Sequence, residues 1–310
     1  MISKMTDFIN FLNPLLAGLR VFLKPFQIDE RGCFDDYSYL CKGLTKIQVE
    51  YFIYNSITRP MLAVISPSKT QDFNRIDLTT YTQTRQIKES EVLIEILKSK
   101  TQDDIAELMS ISEKLAILNF ERFQTFKTPF TLANAKQALL AFKGDVYTGI
   151  DAFSLDADDL AFAQTSLRML SGLYGVVRPL DLIAPYRLEM GTRLKTTKGK
   201  NLYEFWGDKI SKVLNKDESK TLINLASNEY FKGIDKQALN AKIINIAFKE
   251  LKNDKYKIIG IYAKRARGLM VNYMIKNRLT TPESLKAFDS EGYQFKPELS
   301  DSTTWVFTRD

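Results

Sequence analysis

From residue 61 onward the chain alternates two kinds of hydrophobic pattern. LAVIS at 62–66 is an unbroken apolar run of strand length, which predicts a buried strand. Over 84–100 the positions Ile87, Val92, Leu93, Ile96 and Leu97 repeat near the helical period and predict an amphipathic helix. Two short helices are predicted at 103–109 and 112–126, joined by a very tight turn, and a further helix at 133–141. In the second half TLINLA (221–226), AKIINIAF (241–248) and YKIIGIY (256–262) read as strands, with helices at 202–214 and 264–278. Strands alternating with helices predict an α/β or α+β fold with a mixed sheet. No low-complexity linker or internal repeat interrupts 61–310, so one domain is expected there.

Residues 1–60 follow neither rhythm. The stretch 8–26 is apolar but broken by Asn10, Asn13, Pro14, Arg20 and Lys24, too short and interrupted for a membrane span. It lacks the small-residue cleavage site of a secretory signal, so a cytoplasmic protein is expected. Both cysteines, Cys33 and Cys41, fall in this part, and no disulfide framework is indicated. Met61 immediately precedes the first convincing strand, which suggests that 1–60 is upstream sequence or a loosely attached extension. An intact mass of the protein from its native cell tests this: a mass corresponding to 61–310 is expected, and a full-length mass sinks the idea.

Composition changes the picture in two ways. With 45% hydrophobic and 26% charged residues the 310-residue chain can bury a core, which excludes dominant disorder. It contains no histidine, which excludes Ser/His/Asp and Cys/His nucleophilic sites, imidazole-ligated zinc and a histidine switch near neutral pH. The net charge of +7 is uneven: residues 191–278 hold 20 of the 44 cations and 8 of the 37 anions, the footprint of a face for a polyanion or a phosphate-bearing ligand. A lysine-rich solvated surface reads the same way, and Lys209, Lys212, Lys216 and Lys220 at helical spacing fit that blander account.

Five segments carry candidate chemistry. SPSKTQDF (66–73) follows the first strand, where ligands of α/β sheets gather, and places Lys69 to meet an anion; a polar turn accounts for it equally well. FKGDVYTG (142–149) sets Lys143, Asp145 and Tyr147 around Gly144, groups able to transfer protons in a histidine-free protein if their pKa values are shifted, or else a glycine turn between helix and strand. The run 167–193 places Arg168, Arg178, Arg187 and Arg193 among glycines and prolines, suited to bidentate anion binding or to ion pairing with Asp181 and Glu189. YAKRARGLM (262–270) puts Lys264, Arg265 and Arg267 in the first turns of a predicted helix, where cations oppose the dipole and a bound anion would offset them. The pair 107–123 resembles a helix-hairpin-helix, although Ser110 and Ser112 stand where such hairpins carry glycine, and Ser110 with Glu113 fits a capping box. Asp156, Asp158 and Asp159 lack the spacing of a calcium loop and read as helix capping.

Together SPSKTQDF, FKGDVYTG, LRMLSGLYGVVRPLDLIAPYRLEMG, NLYEFWGD, INLASNEYF, YAKRARGLM and FDSEGYQF resemble the peroxide stress protein YaaA family, from residue 61 to the C-terminus. The resemblance implies a cytoplasmic protein of the hydrogen peroxide response that limits free iron and hence oxidative DNA damage, and that binds DNA. It implies a β-rich core wrapped by helices, the cantaloupe-like fold, with a helix-hairpin-helix element and a positively charged cleft. Lys69, Lys143, Arg178, Arg187, Lys264, Arg265 and Arg267 lie in the shared motifs and are assigned to the cleft; Ser110, Ser112 and Lys114 are the hairpin positions.

The leading expectation is therefore non-specific phosphate binding to DNA, duplex or damaged, through the 191–278 face aided by the hairpin, with no cofactor and no metal. The competing expectation is an enzyme acting on a small phosphorylated or nucleobase-containing anion in the cleft, with Lys69, Lys143 and Asp145 near the reacting group. Direct iron binding ranks last, since carboxylates alone suit harder cations.

Overall fold

Five apolar runs lie side by side as parallel strands at the centre of a computed structural model, which describes residues 61–310. They are β1 (Met61–Ile65), β3 (Leu167–Ser171), β6 (Thr221–Asn224), β7 (Lys242–Lys252) and β10 (Thr304–Arg309), in the spatial order β3-β1-β6-β7-β10. Antiparallel strands β4 (Gly175–Val177), β8 (Lys255–Lys257) and β9 (Gln294–Phe295) pair with β3, β7 and β10 to complete a mixed eight-stranded sheet. A separate ribbon pairs β2 (Lys136–Gln137) with β5 (Leu182–Ile183). The inner strands β1 and β3 are buried along their whole length, as expected of parallel strands covered on both faces.

The helices are α1 (Ile87–Lys98), α2 (Gln102–Met109), α3 (Glu113–Gln124), α4 (Ala138–Ala141), α5 (Asp145–Ile150), α6 (Ala157–Ser166), α7 (Leu202–Trp206), α8 (Lys209–Asn215), α9 (Asn228–Phe231) and α10 (Gly260–Lys276). The expected mixed sheet wrapped by helices is found. Among the described residues no helix is long and apolar enough to cross a membrane. The expectation that 1–60 is a separate extension lies outside the described residues.

Several local expectations are corrected. The helix expected at 133–141 is confined to α4, because Thr131 and Asn134 close a turn through Asn134 Oδ1 (2.7 Å from the Thr131 N) and Lys136 and Gln137 pair with β5. The helix expected at 202–214 breaks at Gly207, whose φ of 48° ends α7. The strand expected at 256–262 stops at Lys257. Asn253 and Asp254 adopt φ of 53° and 54°, the left-handed pair of a tight hairpin turn, so 255–257 folds back on β7 and α10 begins at Gly260. Two further stretches are more ordered than expected. The segment 167–177, read only as arginine-bearing irregular backbone, forms the β3–β4 hairpin, and Gly144 joins α4 to α5 rather than to a strand.

The expected capping by the acidic cluster holds. Asp156 caps α6 in a reciprocal box with Asp159, which also pairs with Lys276 (2.6 Å) and Arg278 (2.5 Å). NLYEFWGD and FDSEGYQF supply core: Trp206 is fully buried with its indole N–H on the Gly172 carbonyl (3.0 Å), and Phe288 and Tyr293 pack on Phe248.

Candidate functional site

The sheet order creates a crevice. β1 lies between β3 and β6, so the chain leaves it on one side and returns on the other; the carboxyl ends of β1 and β6 form a topological switch point, where open α/β sheets bind ligands. The residues that follow the two strands are tied together there. The Ser227 N–H donates to Ser66 Oγ (2.8 Å), the Ser66 hydroxyl lies 3.2 Å from Ser227 Oγ, and the Tyr147 hydroxyl donates to the Ser66 carbonyl (3.0 Å).

A cavity of about 430 Å³ opens at this point, walled by 66–69 after β1, 143–147 leading into α5, 225–230 after β6, and Lys264 and Arg267 on α10. That volume is in the range of small-molecule sites. Two glycine contacts set its walls. Gly144 has φ of 114°, which brings the loop before α5 against Ser68, where a Cβ would stand 3.2 Å from the hydroxyl. Gly149 and Gly268 let α5 and α10 touch backbone to backbone: a Cβ on Gly268 would lie 1.9 Å from the Val146 carbonyl oxygen.

The lining carries Lys69, Lys143, Lys264 and Arg267 against Asp145 and Glu229, an excess of positive charge. These cations are not equivalent. Lys69 reaches Glu189 (2.7 Å) and Lys143 reaches Asp72 (3.4 Å) while lying over the Phe153 ring (4.9 Å from its centroid). The Asn74 backbone N–H, with Lys136 and Lys143 nearby, holds the Asp72 carboxyl below the usual range. Lys264 is exposed, and among the described residues it forms no ion pair. Arg267 is half-buried; among the described residues its Nε is shut off from solvent with no hydrogen-bond partner, and burial lowers its pKa with no carboxylate there to counter the shift. It stays charged at neutral pH. An uncompensated guanidinium costs free energy that an anion would recover.

Proton-transfer chemistry finds no prepared group among the tyrosines. Burial pushes Tyr147 far up, with Tyr186 and Tyr230 adding to the shift, and burial likewise raises Tyr186 and Tyr230. These phenols are donors at neutral pH, not bases. Among the described residues no group of three His, Cys, Asp or Glu side chains is arranged to hold a metal ion.

The other assigned cations lie elsewhere or are spent. Arg187 sits beside the cavity, paired with Glu189 (3.1 Å), and its Nε is buried without a partner. Arg178 folds onto buried Asp181 through three bonds of 2.8–3.0 Å and holds the 178–181 turn. Arg168 is fully enclosed against Asp217, and Arg265 pairs with Glu291 (2.6 Å) on the far side of α10. The dipole argument for Lys264, Arg265 and Arg267 is corrected. α10 starts at Gly260, so these residues occupy its second and third turns, where the terminal field has faded. Of the 20 cations in 191–278, only Lys264 and Arg267 line the cavity.

The hairpin pair α2–α3 is present, but its turn is built differently from expectation. Ser110 takes the left-handed C-cap position of α2 (φ 50°) and Ser112 is the N-cap of α3 without a side-chain cap bond, so the Ser110–Glu113 box does not form. The box stands at Thr101 and Asp104 instead. A groove of about 830 Å³ runs from Ser110 to 189–193; Lys100 and Arg193 line it against Asp104, Glu107, Glu189 and Glu229, while Ser112 and Lys114 do not. Its carboxylate excess opposes a phosphodiester, and a helix-hairpin-helix phosphate grip is not confirmed.

Sequence reasoning missed Ser227, Glu229 and Tyr230, which close the cavity opposite 66–69. The available signal was that INLAS, like LAVIS, is an apolar strand ending in small polar residues.

Comparison with known proteins places this geometry in a family. Residues 61–299 match the family model described as Peroxide stress protein YaaA. A UPF0246 protein of Acaryochloris marina is 57% identical over 252 residues, covering 81% of this chain and 100% of the relative. UPF0246 proteins of Hahella chejuensis (51% over 255 residues, 81% and 100%) and Saccharophagus degradans (53% over 254 residues, 80% and 99%) are also similar.

Proposed function

This chain belongs to the peroxide stress protein YaaA family, and we propose that it serves the peroxide response as a cytoplasmic DNA-binding protein that holds phosphates in the switch-point cleft without regard to sequence and so helps to limit iron-dependent oxidative damage. The observation that carries the reading is Arg267, half-buried and, among the described residues, without a partner, beside Lys264, which forms no ion pair with those residues either, in a cavity at the carboxyl ends of the central strands. Anions neutralise such groups, and non-specific nucleic-acid binding rests on phosphate contacts of this kind. The reading places the interface in the cleft, not on the wider lysine surface or at the acidic hairpin groove. Catalysis of a reaction on a small ligand has less support, because the tyrosines are shifted away from base character and Lys143 is engaged with Asp72.

Fluorescence anisotropy of the full-length protein on duplex DNA across a salt series tests this reading. Affinity is expected to fall steeply with salt, and Lys264→Ala combined with Arg267→Ala to reduce the slope by about one to two, close to one unit per lost phosphate contact. Lys252→Ala with Lys255→Ala, both exposed on the β7–β8 hairpin, serves as the control and leaves the slope in place. No binding at low salt, or an unchanged slope in the cleft variant, refutes it.

A further inference from the structure

We infer that the cleft is bipartite and seats one nucleoside monophosphate unit, its phosphate against Arg267 and Lys264 and its base in an adjoining cavity against Asn224, Asn245 and Ile258. The inference rests on the reading of the cleft as a phosphate site and adds what lies next to the phosphate.

The adjoining cavity measures about 320 Å³ and shares Ser227 and Arg267 with the first, so Arg267 borders both compartments. Its polar edge is made by Asn224 and Asn245, cross-strand partners on β6 and β7. Their amides are held in one orientation. Asn224 Oδ1 accepts from the Ala226 N–H (3.0 Å), Asn224 Nδ2 donates to Asn245 Oδ1 (2.9 Å), and Asn245 Nδ2 donates to the Thr303 carbonyl (3.1 Å). A side-chain amide nitrogen carries two N–H groups. Each of these has one committed bond, which leaves one donor on each side chain for the carbonyl or ring-nitrogen acceptors of a base edge.

Apart from Ser227 and Asn228 after β6, the remaining wall is apolar: Ile246, Phe248 and Ala263 from the core, and Ile258, which is 60% exposed. An isoleucine left open to water at the mouth of a cavity, beside unspent amide donors, matches a flat ligand with apolar faces and a polar rim. Inorganic phosphate or a bare sugar phosphate would use Arg267 and leave this compartment unfilled. A phosphate on the outside of a stacked duplex would do the same, since its base stays within the helix. The unit must therefore be a free nucleotide, or a nucleotide at a strand end or turned out of the stack.

Calorimetric titration of the full-length protein with the four deoxynucleoside monophosphates, ribose 5-phosphate and inorganic phosphate reads the site directly. At least one nucleotide is expected to bind about tenfold more tightly than ribose 5-phosphate, the worth of one or two added hydrogen bonds with some apolar burial. Asn245→Ala is expected to erase that difference. Ile258→Ser, at a position too exposed to threaten folding, is expected to reduce it while leaving the salt slope on blunt duplex unchanged. Anisotropy with a blunt duplex and with a duplex carrying one unpaired nucleotide separates the sources. Tighter binding of the second, competed by nucleotide, identifies a strand unit; equal binding of the two, with nucleotide still preferred over ribose 5-phosphate, identifies a free nucleotide. Nucleotides no better than ribose 5-phosphate, together with no preference for the unpaired nucleotide, overturn the inference. If salt-sensitive duplex binding survives that result, the phosphate reading stands alone; if it is also absent, both fall.

Discussion

Asp217→Ala is expected to destabilise this protein by about 3–5 kcal/mol, the cost of stranding a buried charge. Asp217 is fully buried and receives Arg168 Nε and Nη2 at 2.8 Å each and Arg85 Nη1 at 2.9 Å. Arg168 is the second residue of β3 and only 2% exposed, so without the carboxylate its guanidinium has no route to water. Burial alone would raise the Asp217 pKa, but the hydrogen bond and charge of Arg168 and the charge of Arg85 outweigh it, and the net shift is downward. A carboxyl whose folded pKa lies below its unfolded value contributes stability that is complete above the unfolded value, about 3.9, and is lost as pH falls through the folded one. Asp159, held by Lys276 and Arg278 against the opposing effect of burial, shifts in the same direction. Urea unfolding followed by circular dichroism should show a large gap between wild type and variant at pH 7 that narrows toward pH 3. Equal midpoints at pH 7 would show that Arg168 finds another partner or needs none.

That ion pair also explains what the sequence concealed. β1, β6 and β7 are legible because their apolar runs are continuous or alternate cleanly. β3 is not, since a charged residue interrupts LRMLS and its neutralising partner lies 49 positions away, at the end of α8. The reverse error occurred at 256–262. Ile258, Ile261 and Tyr262 look like a buried strand, yet they are 60%, 59% and 45% exposed, because the Asn253–Asp254 turn ends the sheet before them. Hydrophobic pattern reports what a segment is able to bury, not whether a partner covers it.

The site was legible to the extent that it follows strand ends. Its place after β1 puts Lys69 at the cavity, whereas Arg267 lines the same cavity from inside α10 and not from a helix terminus as the sequence suggests. Arg178, Arg265 and Arg267 are the same residue type and cannot be told apart by it. Only the fold shows that the first two are neutralised by Asp181 and Glu291 and that, among the described residues, the third is not. Asn224 and Asn245 gave no signal, because single amides in strands are ordinary until register sets them side by side.

Gly268→Ala should reverse the usual sign of a glycine-to-alanine change. In the interior of an exposed helix the substitution stabilises by up to about 1 kcal/mol. Here the added methyl meets the Val146 carbonyl oxygen at 1.9 Å and the Gly149 Cα at 2.9 Å, backbone atoms that no rotamer change can move. α10 would have to slide off α5, and overpacking of this kind costs about 1–3 kcal/mol. The displacement would also separate Lys264 and Arg267 on one helix from the 143–147 wall on the other, so DNA affinity and stability are expected to fall together. Gly260→Ala is the internal control: it lies at the start of the same helix with nothing within 4 Å of the added Cβ, and should be neutral or stabilising. Denaturant midpoints and anisotropy on the two variants decide the matter. A Gly268→Ala protein as stable as the Gly260→Ala protein would mean that the glycine contact does not set the helix position, and a destabilised one that keeps full affinity would detach the cleft from that contact.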